Sequence, residues 1–373
     1  MAFVFIIGVV QAFFICIILL NKKNKSLADK ILAIWIFILG LHLLLFYFEY
    51  TEYNKVQPHL LGFLVPLPLV HGPFLLFYVV SLINEQQKFN KILLLHFTPA
   101  LIYYILLSPI MILPAAEKLY YVYEVIPTNT PVYFDIFYVL IILSGPIYTA
   151  WSLRLLQKHY QQIKETFSYT EEINLIWLRN LIIGMAVIWL AVLITSFMAD
   201  DIGATIVFFT VTLFVFLIGY YGARQGMIFT DPAVVSPTDK PEIKEKYKKS
   251  SLDAAQSQSL LERLLIFMDE EKPFLESKIT LPQLANRFDI SPNYLSQVIN
   301  EKLNLNLYDF INKYRVEEFK KRLKNDDALN YTLFGHAQNS GFSSKSSFHE
   351  VFKKHTGQTP SQYQSNLFGT ISN

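Results

Sequence analysis

Apolar residues crowd the first 222 or so positions into seven stretches, Ala2 to Leu20, Ile31 to Phe48, Leu60 to Ile83, Ile92 to Leu113, Val132 to Leu156, Leu178 to Met198 and Ala204 to Gly222. Each is close to the roughly 20 residues that a helix rising about 1.5 Å per residue needs to cross a bilayer core. From about Thr280 the pattern changes to short apolar sets spaced three and four apart and divided by turn signals, which predicts two helix-turn-helix units. The expected fold is all-α. A seven-helix transmembrane bundle occupies residues 1–224, a linker 225–259, and an all-helical cytoplasmic domain 260–373, with helix-turn-helix units at about 280–302 and 331–355.

Pro66, Pro68, Pro73, Pro99, Pro109 and Pro146 fall within the apolar runs. Proline breaks a soluble helix, but in a bundle the freed carbonyls are re-satisfied by neighbouring helices, so kinked spans are expected. No basic residue precedes the first run, and Asn21-Lys22-Lys23 follows it without a small-residue cleavage pattern. The run is therefore expected to stay attached as an anchor rather than act as a signal peptide.

Loop charge gives the bundle a direction, because loops rich in Lys and Arg are retained in the cytoplasm. Lys22, Lys23, Lys25 and Lys30 follow the first run, Lys88 and Lys91 the third, Arg154, Lys158, Lys164 and Arg179 flank the fifth and sixth, and Arg224 follows the seventh. The alternate loops offer Lys55 and Lys118, plus the acidic pair Asp200 and Asp201. The expectation is a multi-pass protein of a bacterial inner membrane, N-terminus outside and C-terminus in the cytoplasm. That is also the side on which a DNA-binding tail has access to DNA.

The 373-residue chain is 53% hydrophobic and 15% aromatic, yet it carries 32 Lys and Arg against 30 Asp and Glu. Those charges are segregated toward the tail, so the net +2 averages two different objects and says little about partners. Cys16 is the single cysteine, which excludes an intramolecular disulfide and a cysteine-based zinc site. It is expected to face lipid as a small hydrophobe, and no metal or other cofactor is expected.

Polar groups inside the apolar runs are the candidates for sensing, since an ionisable group in lipid is costly unless it faces the bundle interior or a cavity. They are Gln11, His42, His71, His96, Asp135, Ser144, Thr195 and Thr210. His71, in "PLPLVHGPFLLFYV", lies where proline breaks could open backbone groups toward a cavity, so His71 and Asp135 are kept as candidate sensor residues for a small-molecule ligand. The plainer reading of His71 is interhelical hydrogen bonding. Tyr120, Tyr121, Tyr123 and Tyr133 suit an interfacial aromatic belt.

Pro232, Pro237, Pro241 and the basic cluster from Lys244 to Lys249 mark the linker. Its charges suit anionic headgroups, DNA phosphate or plain solvation. Leu260, Leu261, Leu264, Leu265 and Met268 then recur at helical spacing, giving an amphipathic helix that could pack on the next domain or on a twin of itself in a homodimer.

In "TLPQLANRFDISPNYLSQVINEKL", Thr280 caps a short helix carrying Leu281, Leu284, Ala285 and Phe288, and Asp289-Ile290 forms the turn. Ser291 caps the second helix with Pro292 at its first position, where a missing N–H is harmless. Leu295, Val298 and Ile299 share one face, and Asn293, Ser296, Gln297 and Asn300 point away from it as candidate base contacts in a major groove of promoter DNA. The second unit, from Tyr331, repeats the plan with a turn at Gly341, Ser343 as cap, and Phe348, Val351 and Phe352 inward. Lys345, Ser346, His349 and Glu350 lie on or near its outer face. Ser291, Ser343, Lys353 and Lys354 are candidate phosphate contacts. The joining run "NLYDFINKYRVEEFKKRLK" is about 28 Å long as a helix, which would let two recognition helices enter successive grooves about 34 Å apart.

These residues carry a resemblance to the DNA-binding domain of the AraC/XylS family of bacterial transcription regulators. Its second-unit pattern is matched by Ala337, Gly341, Phe342, Ser344, Ser346, Phe348, Phe352, Lys353, Lys354, Gly357, Thr359, Pro360, Ser361 and Tyr363, while "SPNYLSQVIN" and "FINKYRVEEFKKRL" resemble its first recognition helix and linker helix. The apolar half resembles the multi-pass sensor half of some membrane-bound members. The resemblance implies promoter recognition through both units, with Asn293, Ser296 and Gln297 facing bases in the first site and Lys345, Ser346 and His349 in the second. Glu350 departs from the pattern, standing where members often place an arginine; a carboxylate there repels phosphate unless it accepts from a cytosine amino group. His336 stands where isoleucine is usual.

No Gly-rich phosphate loop, cysteine nucleophile, H-E-x-x-H motif or kinase signature set occurs, so no enzymatic activity is expected. The rival reading is a small-molecule transporter or intramembrane enzyme with an autoregulatory DNA-binding tail. A third is a membrane-stored factor released by proteolysis in the linker.

Overall fold

The computed structural model describes residues 1–83, 91–170, 175–197, 202–225, 254–324 and 331–369. Residues 226–253 of the expected linker, with the Lys244 to Lys249 cluster, and Lys88, Met198, Asp200 and Asp201 lie outside them, while the last six linker positions, 254–259, are helical. Among the described residues the chain is all-helical, with a single isolated antiparallel bridge between Phe167 and Thr280. It divides into two units, Met1–Gln157 with Leu175–Ala233, and Lys158–Asn174 with Val234–Asn373.

The first unit contains α1 (Ala2–Asn21), α2 (Leu27–Tyr50), α3 (Pro68–Ile83), α4 (Thr98–Met111, entered through a 3-10 turn at Lys91–Phe97), α5 (Val132–Thr166), α6 (Ile176–Thr195) and α7 (Ile202–Gln225). Six of these, counting Lys91–Met111 as one, are long and apolar enough to cross a membrane. The helix α3 is shorter than expected, at 16 residues. The third apolar run begins at Leu60, but Gly62 turns the chain at φ +93°, and Pro66 and Pro68 lack the N–H groups that would continue a helix back through them. The helix α5 is longer than expected, 35 residues, because the polar stretch after Leu156 is built of good helix formers and continues to Thr166.

The faces of α1 show how this unit packs. Phe5, Val9, Ala12, Cys16 and Leu19 are buried, whereas Phe3, Ile7, Val10, Phe14 and Ile17 are exposed at the same helical spacing. Cys16 therefore faces the bundle interior, not lipid as expected; an apolar helix carries no polar stripe to mark its outer side. The start of α2 is fixed by a capping box in which Ser26 accepts from Asp29 N–H and the Asp29 carboxylate accepts from Ser26 N–H, with Lys22 Nζ 2.9 Å from Asp29 Oδ2.

The second unit contains α8 (Ala254–Glu270), α9 (Leu281–Asn286), α10 (Pro292–Leu303), α11 (Leu307–Leu323), α12 (Leu333–Asn339), α13 (Lys345–Thr356) and α14 (Pro360–Gly369). Two cores form on either side of α11. Leu307, Phe310 and Ile311 join Leu260, Leu264, Met268, Leu284, Leu295 and Val298, and Tyr308, Val316, Phe319 and Leu323 join Ala337, Phe342, Phe348, Val351 and Phe352. A helix buried along both flanks has little freedom to bend, so α11 is a rigid spacer of 17 residues, about 25 Å.

Candidate nucleic-acid interface

Each helix-turn-helix unit is set by its caps. Thr280 and Gln283 cap α9 reciprocally, and Asp289 takes the left-handed turn conformation, φ 54°. Ser291 Oγ accepts from Tyr294 N–H at 3.2 Å to start α10, with Pro292 at its first position. In the second unit Thr332 Oγ1 accepts from Gly335 N–H at 3.0 Å, and the cap of α13 is Ser344, not the expected Ser343. Of the two adjacent serines, only Ser344 stands three residues before the N–H it caps, that of Ser347 at 3.2 Å.

Gly341 makes the second turn at φ +95°, and a Cβ there would lie 2.2 Å from Phe274 O. That close approach places the turn beside Arg315, which is 2% exposed. Its guanidinium donates to Phe274 O, Glu276 O, Ser277 O, Ser168 O and Oγ and the Asn312 amide oxygen at 2.8–3.2 Å, so six acceptors converge on one buried cation. The linker helix α11 is thus cross-tied at its middle to Ser168 and to the segment that precedes the first unit.

The candidate base contacts divide between free and engaged groups. Asn293, Lys345 and Ser346 are exposed; Ser296, Gln297, Asn300 and His349 are half-buried. Gln297 Nε2 donates to Glu301 Oε1 at 2.8 Å, and Ser296 and Asn300 both bond Glu165. Among the phosphate candidates Ser291, Ser343 and Lys353 are exposed, while Lys354 Nζ pairs with Asp309 Oδ1 at 2.6 Å, joining α13 to α11. Partial desolvation of the His355 ring, then the Lys354 ammonium, holds its pKa below the ordinary imidazole value, although Asp309 pulls the other way. Glu350 is exposed, and His336 is buried with Tyr331 edge-on at 5.5 Å.

Residues 284–366 match the family model for a helix-turn-helix domain. The tail thus holds a helix-turn-helix domain. It is 33% identical over 111 residues to the uncharacterized HTH-type transcriptional regulator YijO of Escherichia coli K12, a match covering 30% of this chain and 37% of that one. It is 26% identical over 96 residues to the transcriptional regulatory protein HptR of Staphylococcus aureus NCTC 8325, covering 26% and 36%. A solved protein with unknown function from Listeria innocua is 30% identical across 28% of this chain and 95% of its own, with a TM-score of 0.25. The chain thus spans little more than a third of the length of these two regulators.

In the apolar half, the polar candidates are placed as follows. Trp35 Nε1 donates to His71 Nδ1 at 3.3 Å, and His71 Nε2 lies 2.8 Å from His42 Nδ1. Asp135 is exposed in the first turn of α5, apart from this chain of rings. His96 Nδ1 bonds Tyr148 Oη at 2.7 Å. Among the described residues no three His, Cys, Asp or Glu gather as metal ligands. A cavity of about 140 Å³ lies among Phe48, Glu49, Asn54, Leu61, Leu107 and Phe134. Asn54 is buried, and its Oδ1 lacks a hydrogen-bond partner. Neither Trp35 nor Asn54 stands out in the sequence, because an indole in an apolar run and an asparagine in the four-residue helix Tyr53–Val56 carry no distinguishing spacing.

Proposed function

We propose that this chain is a sequence-specific DNA-binding transcription regulator anchored in a bacterial inner membrane. The observation that carries the reading is the pair of capped recognition helices, α10 and α13, packed on either side of one rigid helix, α11. A spacer of this stiffness suits two major-groove contacts on one face of a promoter. Gln297, Asn293, Lys345, Ser346 and His349 offer donors for base edges, and Lys353 reaches phosphate.

Membrane anchoring is supported by the uncovered apolar stripe of α1, which would be a large exposed patch in water and is at home in lipid. The alternation of basic loops supports an outside N-terminus and a cytoplasmic tail. Sensing by the bundle is supported by the cavity at Asn54: an apolar pocket of this size takes a group about as large as benzene, and the unpartnered Oδ1 favours a ligand bearing a hydrogen-bond donor. The apolar face of α8 is buried in the second unit's own core, so this reading assigns no homodimer to that helix.

The test is membrane fractionation together with chromatin occupancy of the full chain, native and Lys353→Ala. Membrane-bound protein occupying a defined set of promoters, with occupancy lost in the variant, is expected. A chain that fractionates with cytosol, or occupies no site, would sink the reading.

A further inference from the structure

The end of α5, from Lys158, and the described residues after it belong to the DNA-reading unit. Ser168 N–H donates to Ile279 O at 3.2 Å, beside the Phe167–Thr280 bridge. Ser168 O and Oγ both accept from the buried Arg315, at 3.0 and 3.2 Å, and Ser168, Tyr169 and Thr170 are buried. Lys164 Nζ lies 5.1 Å from the centroid of Tyr308. Backbone pairing, bonds to a buried guanidinium and a cation–ring contact therefore seat this strip of chain against α11 and the residues that lead into α9.

The strip brings one carboxylate onto the polar face of the first recognition helix. Glu165 Oε2 accepts from Asn300 Nδ2 at 2.9 Å and from Ser296 Oγ at 3.3 Å, while Asn300 Nδ2 also reaches Ser296 Oγ at 3.2 Å. These are two of the four groups that α10 would offer to a major groove. We infer that the polar face of α10 is an interaction surface for the chain's own segment from Lys158 to Thr170, and that Glu165 competes with DNA for it. The inference rests on the DNA-binding reading.

Two physical arguments make the occupants exclusive. The Ser296 hydroxyl gives its one proton to the carboxylate, and the Asn300 amide gives one N–H to the carboxylate and the other to Ser296 Oγ, so neither group has a donor left for a base edge. The carboxylate is also a negative charge on the surface that phosphates must approach, where DNA presents one charge per about 1.7 Å of its axis. Reading a first half-site thus requires Glu165 to leave, and the strip that carries it continues directly from α5. The second recognition helix has no such occupant among the described residues, since Lys345, Ser346 and Lys353 are exposed.

The experiment uses the full chain in lipid nanodiscs and a duplex enriched from a random-sequence pool with the Glu165→Ala chain. Glu165→Ala should bind that duplex about ten-fold more tightly than the native chain, the size of one released charge-assisted hydrogen bond, and its footprint should extend over a second groove. In a Cys16→Ser background, Glu165→Cys with Ser296→Cys, bridged by dibromobimane, should lose that added protection relative to the same chain unbridged. Equal affinity of the native and Glu165→Ala chains, or binding indifferent to the bridge, overturns the inference and leaves the DNA-binding reading standing. If neither chain enriches any duplex, the DNA-binding reading has failed and the inference falls with it.

Discussion

The indole of Trp35 sets the proton of His42 at one remove. Trp35 Nε1–H can only donate, so His71 Nδ1 must accept, which leaves the His71 proton on Nε2. That proton faces His42 Nδ1, so His42 in turn carries its own on Nε2. Both rings are neutral in this arrangement, and α2 and α3 are linked by it.

Nitrogen NMR on histidine-labelled full chain should find both rings as the Nε2–H tautomer. Trp35→Phe removes the donor and strands a buried acceptor, which should destabilise the bundle by about 1–3 kcal/mol in a detergent melt. An unchanged melt would mean that His71 Nδ1 finds another donor.

Base reading and phosphate binding should separate by mutation. Gln297→Ala is expected to relax base preference at one position, by about 1–3 kcal/mol of discrimination, whereas Lys353→Ala should weaken all sequences alike and reduce the salt slope by about 1. Binding titrations at several salt concentrations decide it, and equal effects of the two variants on every sequence would refute the division of roles.

Arg315→Met should cost the second unit about 3 kcal/mol or more, because several buried carbonyls lose their shared donor together. Gly341→Ala adds a Cβ against Phe274 O on a backbone that favours glycine, and should cost about as much. Both are read as a shift of the denaturation midpoint of the second unit in the full chain; a loss below about 1 kcal/mol in either would contradict the packing described.

Asn54→Leu replaces an unpartnered buried oxygen by a methyl but also gives up the amide's bond to the Tyr123 phenol, so the full chain should lose no more than about 1 kcal/mol. A marked loss of stability would show that Asn54 is a structural tie rather than a group held open for a ligand.

Much of the second unit was legible because its signals are local. Ser291 followed by Pro292, and Gly341 after an apolar run, mark a helix start and a turn by chemistry that acts over four residues. The choice of Ser344 over Ser343 turns on a shift of one residue in the helix start, finer than composition resolves. In the first unit, the spans are legible as lengths of apolar chain, but their orientation is not: Cys16 shares a helical face with Ala12 and Leu19, and nothing polar on α1 says which face is inside. The third span broke early because Gly62, Pro66 and Pro68 act together, each tolerable alone. The role of Glu165 was invisible for a different reason. Beside Lys158 and Lys164 it reads as a loop charge, and its partners Ser296 and Asn300 lie more than 130 positions away.

The unit that holds both helix-turn-helix motifs is made of two stretches of chain with two apolar helices between them, and that division imposes an order on its manufacture. The strip carrying Glu165 and Ser168 leaves the ribosome while Arg315, Ile279 and Thr280 are still unmade. It must wait, already tethered to a finished helix, until the rest of the reader is synthesised around it. A newly made copy therefore completes its DNA-binding surface last, with the occupant of that surface already in place.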